Sequence, residues 1–342
     1  MPIHESSRPR LAHPTTLLAA VVLVLACILA AGTSGVARSA PVQARWVLTD
    51  LGSLGGTEGT SLATGINNRG QVVGWSRTKG GSFDGFLWEN GRTLGLGAFV
   101  PVAINDRGQV AGTSGAHAAL WEQGTMRDLG TLGGKDSYAT AINNRGQVVG
   151  VSETKAGKRH AFLWEDGRMR DLGAFDPAAI NDRGQVVGSS RAPGASFSPR
   201  MRARLWEKGT LRVLGSKRQQ ALASGIDERG RIVGTVGWRL ATWTRPTATG
   251  AFREVRLRPS VGGNHDIESH ASSNERGQIA ATGSGEAYVW ENGRRHVLPA
   301  LPGGQRSVAT AINDRGQVVG ASGWAHHFEA DRAVLWTPRA AG

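Results

Sequence analysis

Hydrophobic and polar residues alternate along this chain in short runs that recur as one phrase. Its cleanest form is Ile-Asn-Asp-Arg-Gly-Gln-Val-Val-Gly, and every copy is followed by a tryptophan. The copies begin at Ile66, Ile104, Ile142, Ile180, Ile226, Ser273 and Ile312. A period of this length is typical of an array of similar structural units. The pattern therefore predicts a repeat protein rather than a conventional enzyme domain.

The third copy shows how one repeat gives four strands. Its runs of β-favouring residues predict strands at 137–143, 146–152, 160–165 and 168–173. The turn after the first strand ends at Gly146, which can adopt positive φ, and the pair Asp166-Gly167 favours a tight primed hairpin turn. One repeat is therefore a four-stranded antiparallel meander, whose strands are called a to d in chain order.

Such meanders bury their faces against neighbours, and seven of them arranged radially form a β-propeller. The last repeat ends after strand c, at residues 335–338, whereas residues 49–56 repeat the strand d segment 127–134 at six of eight positions. We therefore predict an all-β, seven-bladed β-propeller over residues 41–342, with four-stranded antiparallel blades. The N-terminal strand joins the C-terminal blade and closes the ring, leaving no open end. An open solenoid is the alternative.

Residues 1–40 stand apart from the repeats. Arg8 and Arg10 precede an apolar run from Leu17 to about Gly32, which is shorter than the ~20 residues that span a bilayer. This pattern predicts a signal peptide, with an uncleaved signal anchor or a lipoprotein anchor at Cys27 as alternatives. We expect an exported protein, either extracellular, periplasmic or associated with the cell envelope. It would contact membrane only through an uncleaved or lipidated leader.

Three residue types recur in the repeats and have structural explanations. The tryptophan of strand c is expected to pack between blades. The asparagine that opens each a-to-b turn is expected to cap that turn. The arginine two residues later is expected to be neutralised by glutamates of the c-to-d turns. These arginines are Arg69, Arg107, Arg145, Arg183, Arg229, Arg276 and Arg315.

A ligand site is expected where the repeats differ. The d-to-a and b-to-c connections share one face of a propeller, here called the loop face, and the a-to-b and c-to-d turns share the opposite turn face. Loop-face segments vary between repeats, and the formal charge of +13 favours anionic partners. The candidate ligand-binding residues on the loop face are Arg77, Lys79, Lys155, Lys158, Arg159, His160, Arg191, Arg200 and Arg202.

Two loop-face segments of blades 6 and 7 are rich in histidine and carboxylates. They could meet as a divalent metal site with nitrogen and oxygen ligands. The candidate ligands are His265, Asp266, His270, His326, His327 and Glu329. No phosphate loop, nucleophile elbow or zinc-protease motif occurs in the sequence. No cofactor is therefore expected other than this possible metal.

The segments His160-Ala161-Phe162 and His117-Ala118-Ala119, within their repeated units, resemble the bacterial extracellular repeat proteins named for a His-Ala-Phe motif. The resemblance covers essentially the whole exported chain. It implies an exported repeat protein and assigns no catalytic residue. Five repeats replace the motif histidine, with these residues near its place: Asp84, Met201 or Arg202, Arg239, Gly285 and Asp331. This departure argues against a sevenfold functional histidine.

Regular repeats without a unique polar constellation favour a non-catalytic binding or scaffolding module. We expect an exported monomer that recognises an anionic glycan, a cell-envelope polymer or a protein through its basic loop face, with no nucleic acid partner. The alternative is a hydrolase or lyase that acts on polysaccharide at the same face, with histidines and carboxylates such as Asp266, Glu268 and Glu329 as acid and base. The fold alone does not decide between them.

Overall fold

Each repeat forms one four-stranded antiparallel sheet in a computed structural model of the protein. The structure describes residues 45–56, 59–192, 201–215, 219–237, 239–245, 251–257, 271–323 and 331–339. Its seven sheets are arranged radially as a seven-bladed β-propeller, which confirms the predicted fold class. Every element in these ranges is a strand, so they contain no candidate for a membrane-spanning helix. The predicted leader, residues 1–40, lies outside the described ranges.

The strands follow the chain without interruption by other elements. In order they are Trp46–Gly52 (β1), Ser61–Ile66 (β2), Val72–Arg77 (β3), Phe83–Glu89 (β4), Arg92–Gly97 (β5), Phe99–Ile104 (β6), Val110–Ser114 (β7), His117–Glu122 (β8), Thr125–Asp128 (β9), Gly133–Ile142 (β10), Val148–Thr154 (β11), Arg159–Glu165 (β12), Arg168–Gly173 (β13), Asp176–Ile180 (β14), Val186–Arg191 (β15), Met201–Glu207 (β16), Thr210–Val213 (β17), Ala221–Ile226 (β18), Ile232–Val236 (β19), Arg239–Thr244 (β20), Arg253–Arg256 (β21), Ala271–Ser273 (β22), Ile279–Gly283 (β23), Glu286–Glu291 (β24), Arg294–Val297 (β25), Arg306–Ile312 (β26), Val318–Gly323 (β27) and Arg332–Pro338 (β28).

Each blade takes four strands in order from the axis outwards. Blades 1 to 6 are β2–β5, β6–β9, β10–β13, β14–β17, β18–β21 and β22–β25. The first strands of neighbouring blades contact one another around the whole ring, so strand a is innermost. Tight turns set this meander: Asp166 and Gly167 have φ of 50° and 82°, as the predicted primed turn requires, and Gly146 has φ of 82°.

The ring closes within blade 7. Strand order in this sheet is β1-β28-β27-β26, so the N-terminal strand supplies the outer strand of the C-terminal blade. The two strands are antiparallel, with Leu48 opposite Trp336 and Asp50 opposite Val334. The predicted closure is confirmed.

The strand c tryptophans contribute to the cores between blades, as predicted. Trp336 and Trp243 are fully buried, and Trp164, Trp206 and Trp290 are at most 8 % exposed. Trp336 lies in a core cluster with Val289 and Leu298 of the preceding blade. One bulky side chain at the same register position therefore fills successive blade interfaces.

The first asparagine of each a-to-b turn caps its own turn and also bridges to the next blade. In blade 1, Asn67 Oδ1 accepts hydrogen bonds from the backbone N–H of Arg69 and Gln71, at 3.1 and 3.0 Å. Its Nδ2 donates to the backbone carbonyl of Asn105 in blade 2, at 2.9 Å. Equivalent bridges of 2.9 to 3.0 Å start from Asn105, Asn143, Asn181, Asn274 and Asn313. Sequence analysis predicted the cap and missed the bridge.

Blade 5 makes the same bridge with different residues. Asp227 replaces the asparagine, and Arg231 replaces the glutamine that is hydrogen-bonded to that asparagine in the other blades. Arg231 Nε donates to Asp227 Oδ2 at 3.0 Å, and its Nη2 donates to the carbonyl of Asn274 in blade 6 at 3.2 Å. A buried ion pair therefore replaces an amide pair, and the ring of bridges is complete.

A second ring uses the next turn residue. In every blade, the backbone N–H of this residue donates to the side-chain oxygen of the corresponding residue in the following blade, at 2.6 to 2.9 Å. The ring returns to its start where Asp314 N–H donates to Asn68 Oδ1. Its members are Asn68, Asp106, Asn144, Asp182, Glu228, Glu275 and Asp314. Seven blades are thus joined at the axis by two closed circuits of hydrogen bonds.

Candidate functional site

The predicted ligand-binding residues fall into two separate groups on the loop face. Lys155, Lys158, Arg159 and His160 belong to blade 3, and Arg191 and Arg202 belong to the adjacent blade 4. Arg77 and Lys79 lie on blade 1, and blade 2 separates them from the others. The structure therefore brings together the residues of blades 3 and 4.

Other candidates lie outside the described residues. They are Arg200 and the six proposed metal ligands, His265, Asp266, His270, His326, His327 and Glu329. Within the described ranges, no group of three or more potential metal-ligating side chains occurs.

A tight loop presents the two lysines of blade 3. The backbone N–H of Thr154 donates to the carbonyl of Lys158 at 2.8 Å, and the backbone N–H of Gly157 donates to the carbonyl of Thr154 at 2.9 Å. Both lysine side chains are exposed. The neighbouring carboxylate of Glu153 accepts the backbone N–H of Lys135 at 2.9 Å. The loop therefore directs two cations to solvent at the start of strand c.

Arg159, at the end of this loop, is held by an aromatic and a carboxylate partner. Its guanidinium lies over the Tyr138 ring, 5.3 Å from the centroid, and donates a hydrogen bond to the Tyr138 hydroxyl. Asp176, the first residue of blade 4, interacts electrostatically with both Arg159 and Arg191. One carboxyl group, which the sequence pattern did not predict, thus lies within electrostatic range of two predicted cations from neighbouring blades.

Burial changes the acidity of this group. Burial raises the pKa of Asp176 above its usual value, although the charges of Arg159 and Arg191 oppose the change. Burial also raises the pKa of the Tyr138 hydroxyl; Arg159 opposes this shift and the charge of Asp176 adds to it. Arg159 and Arg191 therefore lie near a carboxyl group that is partly removed from water, and Arg159 is oriented by its contact with Tyr138.

His160 differs from the other candidates because its ring is already paired. Its Nδ1 lies 2.8 Å from Asp171 Oδ2 on strand d, and His117 makes the same contact to Asp128 at 2.7 Å in blade 2. Asp171 also accepts the Gly173 N–H at 2.7 Å. Although burial alone would raise it, the pKa of Asp128 is lowered by its hydrogen bonds to His117 and Gly130 and by the His117 charge. The motif histidine fastens strand d to strand c.

Strand pairing corrects the predicted replacements of this histidine in two blades. His160 is opposite Ser152 on strand b. The same register position is held by Glu286 in blade 6 and Arg332 in blade 7, rather than by Gly285 and Asp331. Both retain a charge pair to strand d, since Arg332 lies 3.3 Å from Asp50 and Glu286 lies 3.2 Å from Arg295.

In blade 4 the motif becomes Arg202-Ala203-Arg204. Arg202 is opposite Ser190 and so holds the place of His160, and Arg204 holds that of the buried Phe162. The strand d position of Asp171 is taken by Val213. Arg204 Nε donates to Ser190 Oγ at 2.7 Å, and the Arg202 Nε is buried without a hydrogen-bond partner. Blade 4 therefore gains two cations and loses the carboxylate.

The turn face differs from the expected pairing of arginine and glutamate rings. Arg145 does pair with Glu165, at 3.2 Å. The glutamates more regularly accept hydrogen bonds from turn glutamines, at 2.6 to 2.8 Å for Glu165, Glu207 and Glu291. Among the described residues, Arg145 is the one ring arginine in such an ion pair, and all seven ring arginines are exposed.

These features define a β-propeller with a cationic cluster on its loop face. No family model matches the chain, and no curated protein matches it significantly. Solved structures with the same fold include a puromycin-hydrolysing peptidase of Mycobacterium tuberculosis, with 13% identity, a TM-score of 0.55, 77% of this chain covered and 49% of that one. An acylaminoacyl peptidase of Pyrococcus horikoshii is 13% identical, with a TM-score of 0.55, and the match covers 81% of this chain and 51% of that one. This chain thus spans about half the length of either peptidase.

A third similar structure is the β-propeller domain of the Trilobed protease from Pyrococcus furiosus, described as having an open velcro topology. It is 12% identical, with a TM-score of 0.51, and the match covers 81% of this chain and 93% of that one. At these identities the likeness shows the fold alone.

Proposed function

We propose that this protein is an exported, non-catalytic binding module that recognises an acidic polymer of the cell envelope through the loop face of blades 3 and 4. One observation carries the proposal. Adjacent blades bring Lys155, Lys158, Arg159, Arg191 and Arg202 to one side of the propeller, where Arg159 stacks on Tyr138 and the carboxyl group of Asp176 lies within electrostatic range of Arg159 and Arg191. The resemblance to exported His-Ala-Phe repeat proteins supports the proposed export of the protein.

This arrangement suits a polymer better than a small anion. The cations come from two blades and several strand ends, so a chain of regularly spaced negative groups can contact more than one of them. Arg159 is already stacked on an aromatic ring and therefore loses little conformational freedom on binding. The exposed lysines add attraction that salt screens.

Binding of polygalacturonate and of neutral dextran to the purified protein, measured by calorimetry at about 50 mM and about 500 mM salt, tests the proposal. We expect polygalacturonate to bind, more weakly at high salt, and dextran not to bind. Arg159→Gln or Arg191→Gln should weaken binding about threefold to tenfold. Arg107→Gln on the turn face is the matched control and should have no effect. Failure to bind any acidic polymer, or equal binding of dextran, would overturn the proposal.

A hydrolase or lyase is the second candidate, and the carboxyl group of Asp331 favours it. Burial raises the pKa of Asp331 to about 6, against the opposing charge of Arg306, so this group keeps a proton in mildly acidic solution, as a general acid must. The acid and base candidates chosen from sequence, Asp266, Glu268 and Glu329, lie outside the described residues. Shortening of polygalacturonate during incubation, seen by size-exclusion chromatography and abolished by Asp331→Asn, would establish this alternative.

A further inference from the structure

We infer that Arg202 and Arg204 of blade 4 form a subsite for a sugar carboxylate, which makes uronic acid units the ligand class of the cationic cluster. This inference rests on the proposed function and specifies it. Its basis is a comparison of the same register position around the ring. In blades 2, 3 and 7 this strand d position is an aspartate, Asp128, Asp171 or Asp50, beside a histidine or arginine of strand c. The other blades have Gly95, Val213, Arg256 and Val297 there.

Blade 4 differs from blades 2, 3 and 7 in three places at once, and it carries two arginines on the same strand c. The strand d aspartate is replaced by Val213, which pairs with Arg204. The histidine becomes Arg202, and the apolar core position of Phe162 becomes Arg204. Among the described residues, no carboxylate pairs with either guanidinium. The blade therefore holds the cationic half of the pair without its anionic half.

The two arginines lie close enough for their charges to interact. Burial lowers the pKa of Arg204, and the nearby positive charge of Arg202 lowers it further. The Nε of Arg202 is buried and has no hydrogen-bond partner among the described residues. An oxyanion beside the terminal nitrogens of the two guanidiniums would offset their repulsion.

The favoured anion is a carboxylate because blades 2, 3 and 7 use a carboxylate in this role. In those blades it comes from an aspartate within the protein, and in blade 4 it would come from the ligand. Ser190 is opposite Arg202 on strand b, and its Oγ accepts the Arg204 Nε–H at 2.7 Å, which orients that guanidinium. Arginine is suited to planar carboxylates through paired N–H donors.

Val213→Asp is the sharpest test, since it restores the missing aspartate. The new carboxylate should pair with Arg202 and Arg204, raise the unfolding temperature in the absence of ligand, and weaken polygalacturonate binding about tenfold or more. Val213→Asn, of similar size without charge, is its control and should keep most of the affinity. Arg202→Ala should also weaken binding about tenfold, whereas Arg239→Ala, at the same register position of blade 5, should leave it unchanged.

The outcomes separate this inference from the proposed function. Dextran sulfate is included as an acidic polymer without carboxylates, and we expect it to bind more weakly than polygalacturonate. If wild-type protein binds polygalacturonate and Val213→Asp and Arg202→Ala bind it equally well, the subsite is wrong while the binding module stands. Stronger binding of dextran sulfate would likewise overturn the carboxylate assignment alone. Absence of binding to both polymers would overturn the proposed function, and the subsite with it.

Discussion

The carboxyl group of Asp331 makes one separable contribution to the pH dependence of stability. Its backbone carbonyl accepts the Ser61 N–H at 2.9 Å, so the residue is fixed at the seam between blades 7 and 1. Burial raises its pKa from 3.8 to about 6 in the folded protein, despite the charge of Arg306. The folded state therefore binds this proton more tightly than the unfolded state, and stability falls as pH rises from about 4 to 6.

Asp331→Asn should remove this dependence. At pH 7.5 the wild-type protein keeps a buried carboxylate, and the variant should be more stable by about 1–3 kcal/mol. Near pH 3.5 the aspartate is protonated in both states, so the two proteins should have nearly equal stability. Urea unfolding at both pH values measures the difference. An equal gain at both would show that packing rather than ionisation is responsible.

Among the strands and turns, blade 5 offers a direct test of the axial bridges. The Asp227 side chain is 1% exposed and pairs with Arg231, where the other blades use asparagine and glutamine. Asp227→Asn leaves Arg231 partly buried without its counter-ion, and Arg231→Gln leaves a buried carboxylate alone. Each single change should destabilise the protein by about 3 kcal/mol or more.

The double variant Asp227→Asn with Arg231→Gln should recover most of that loss, because it recreates the pair found in the other blades. A double-mutant cycle from urea unfolding gives the coupling free energy, which we expect to be at least about 2 kcal/mol. The equivalent cycle at Asn143 and Gln147, changing them to aspartate and arginine, provides the reciprocal comparison. Additive single effects in blade 5 would show that the two residues act independently.

Strand positions could be predicted from the sequence because local residues determine them. β13 has its predicted bounds at both ends, and the Asp166-Gly167 turn has the expected positive φ values. β10 starts four residues before its predicted start, because a register shift between Gly133 and Ser137 lets the connector join the sheet. Such a shift depends on the partner strand, which residue patterns within one strand do not show.

The candidate site was less predictable because neighbouring blades build it together. Arg159 and Arg191 were chosen for their charge and their position in variable loops. Their partners Tyr138 and Asp176 were missed because both stand at strand a positions that look ordinary in the sequence. The strand d aspartates of blades 2, 3 and 7 were visible in the sequence, and comparing them with Val213 beside Arg202 and Arg204 would have shown that blade 4 combines two arginines with no such aspartate. That comparison needs the register of strands c and d, which the structure supplies.

At the scale of the whole molecule, closure occurs at the rim and at the axis. At the rim, β1 pairs with β28 and completes blade 7. At the axis, Asn313 Nδ2 donates to the Asn67 carbonyl at 3.0 Å, joining blade 7 to blade 1. The chain from β1 leads directly into blade 1, so opening the ring would require loss of both contacts. An unpaired β28 would expose an open strand edge, which favours aggregation.

A disulfide across the rim tests whether this closure limits stability. Val47 lies opposite Thr337 in the antiparallel pair, and cross-strand neighbours have Cα separations that a disulfide accepts. In a variant with Cys27→Ser, the pair Val47→Cys and Thr337→Cys should oxidise readily and stabilise the protein by about 2–4 kcal/mol, because the bond links the ends of a long chain segment. The gain should vanish on reduction.

The control variant combines Val47→Cys with Met126→Cys. It places the second thiol on the outer strand of blade 2 and should form no intramolecular bond. Equal crosslinking of both pairs on non-reducing gels would contradict the observed register. If the oxidised protein has the same free energy of unfolding as its reduced form, unfolding begins elsewhere.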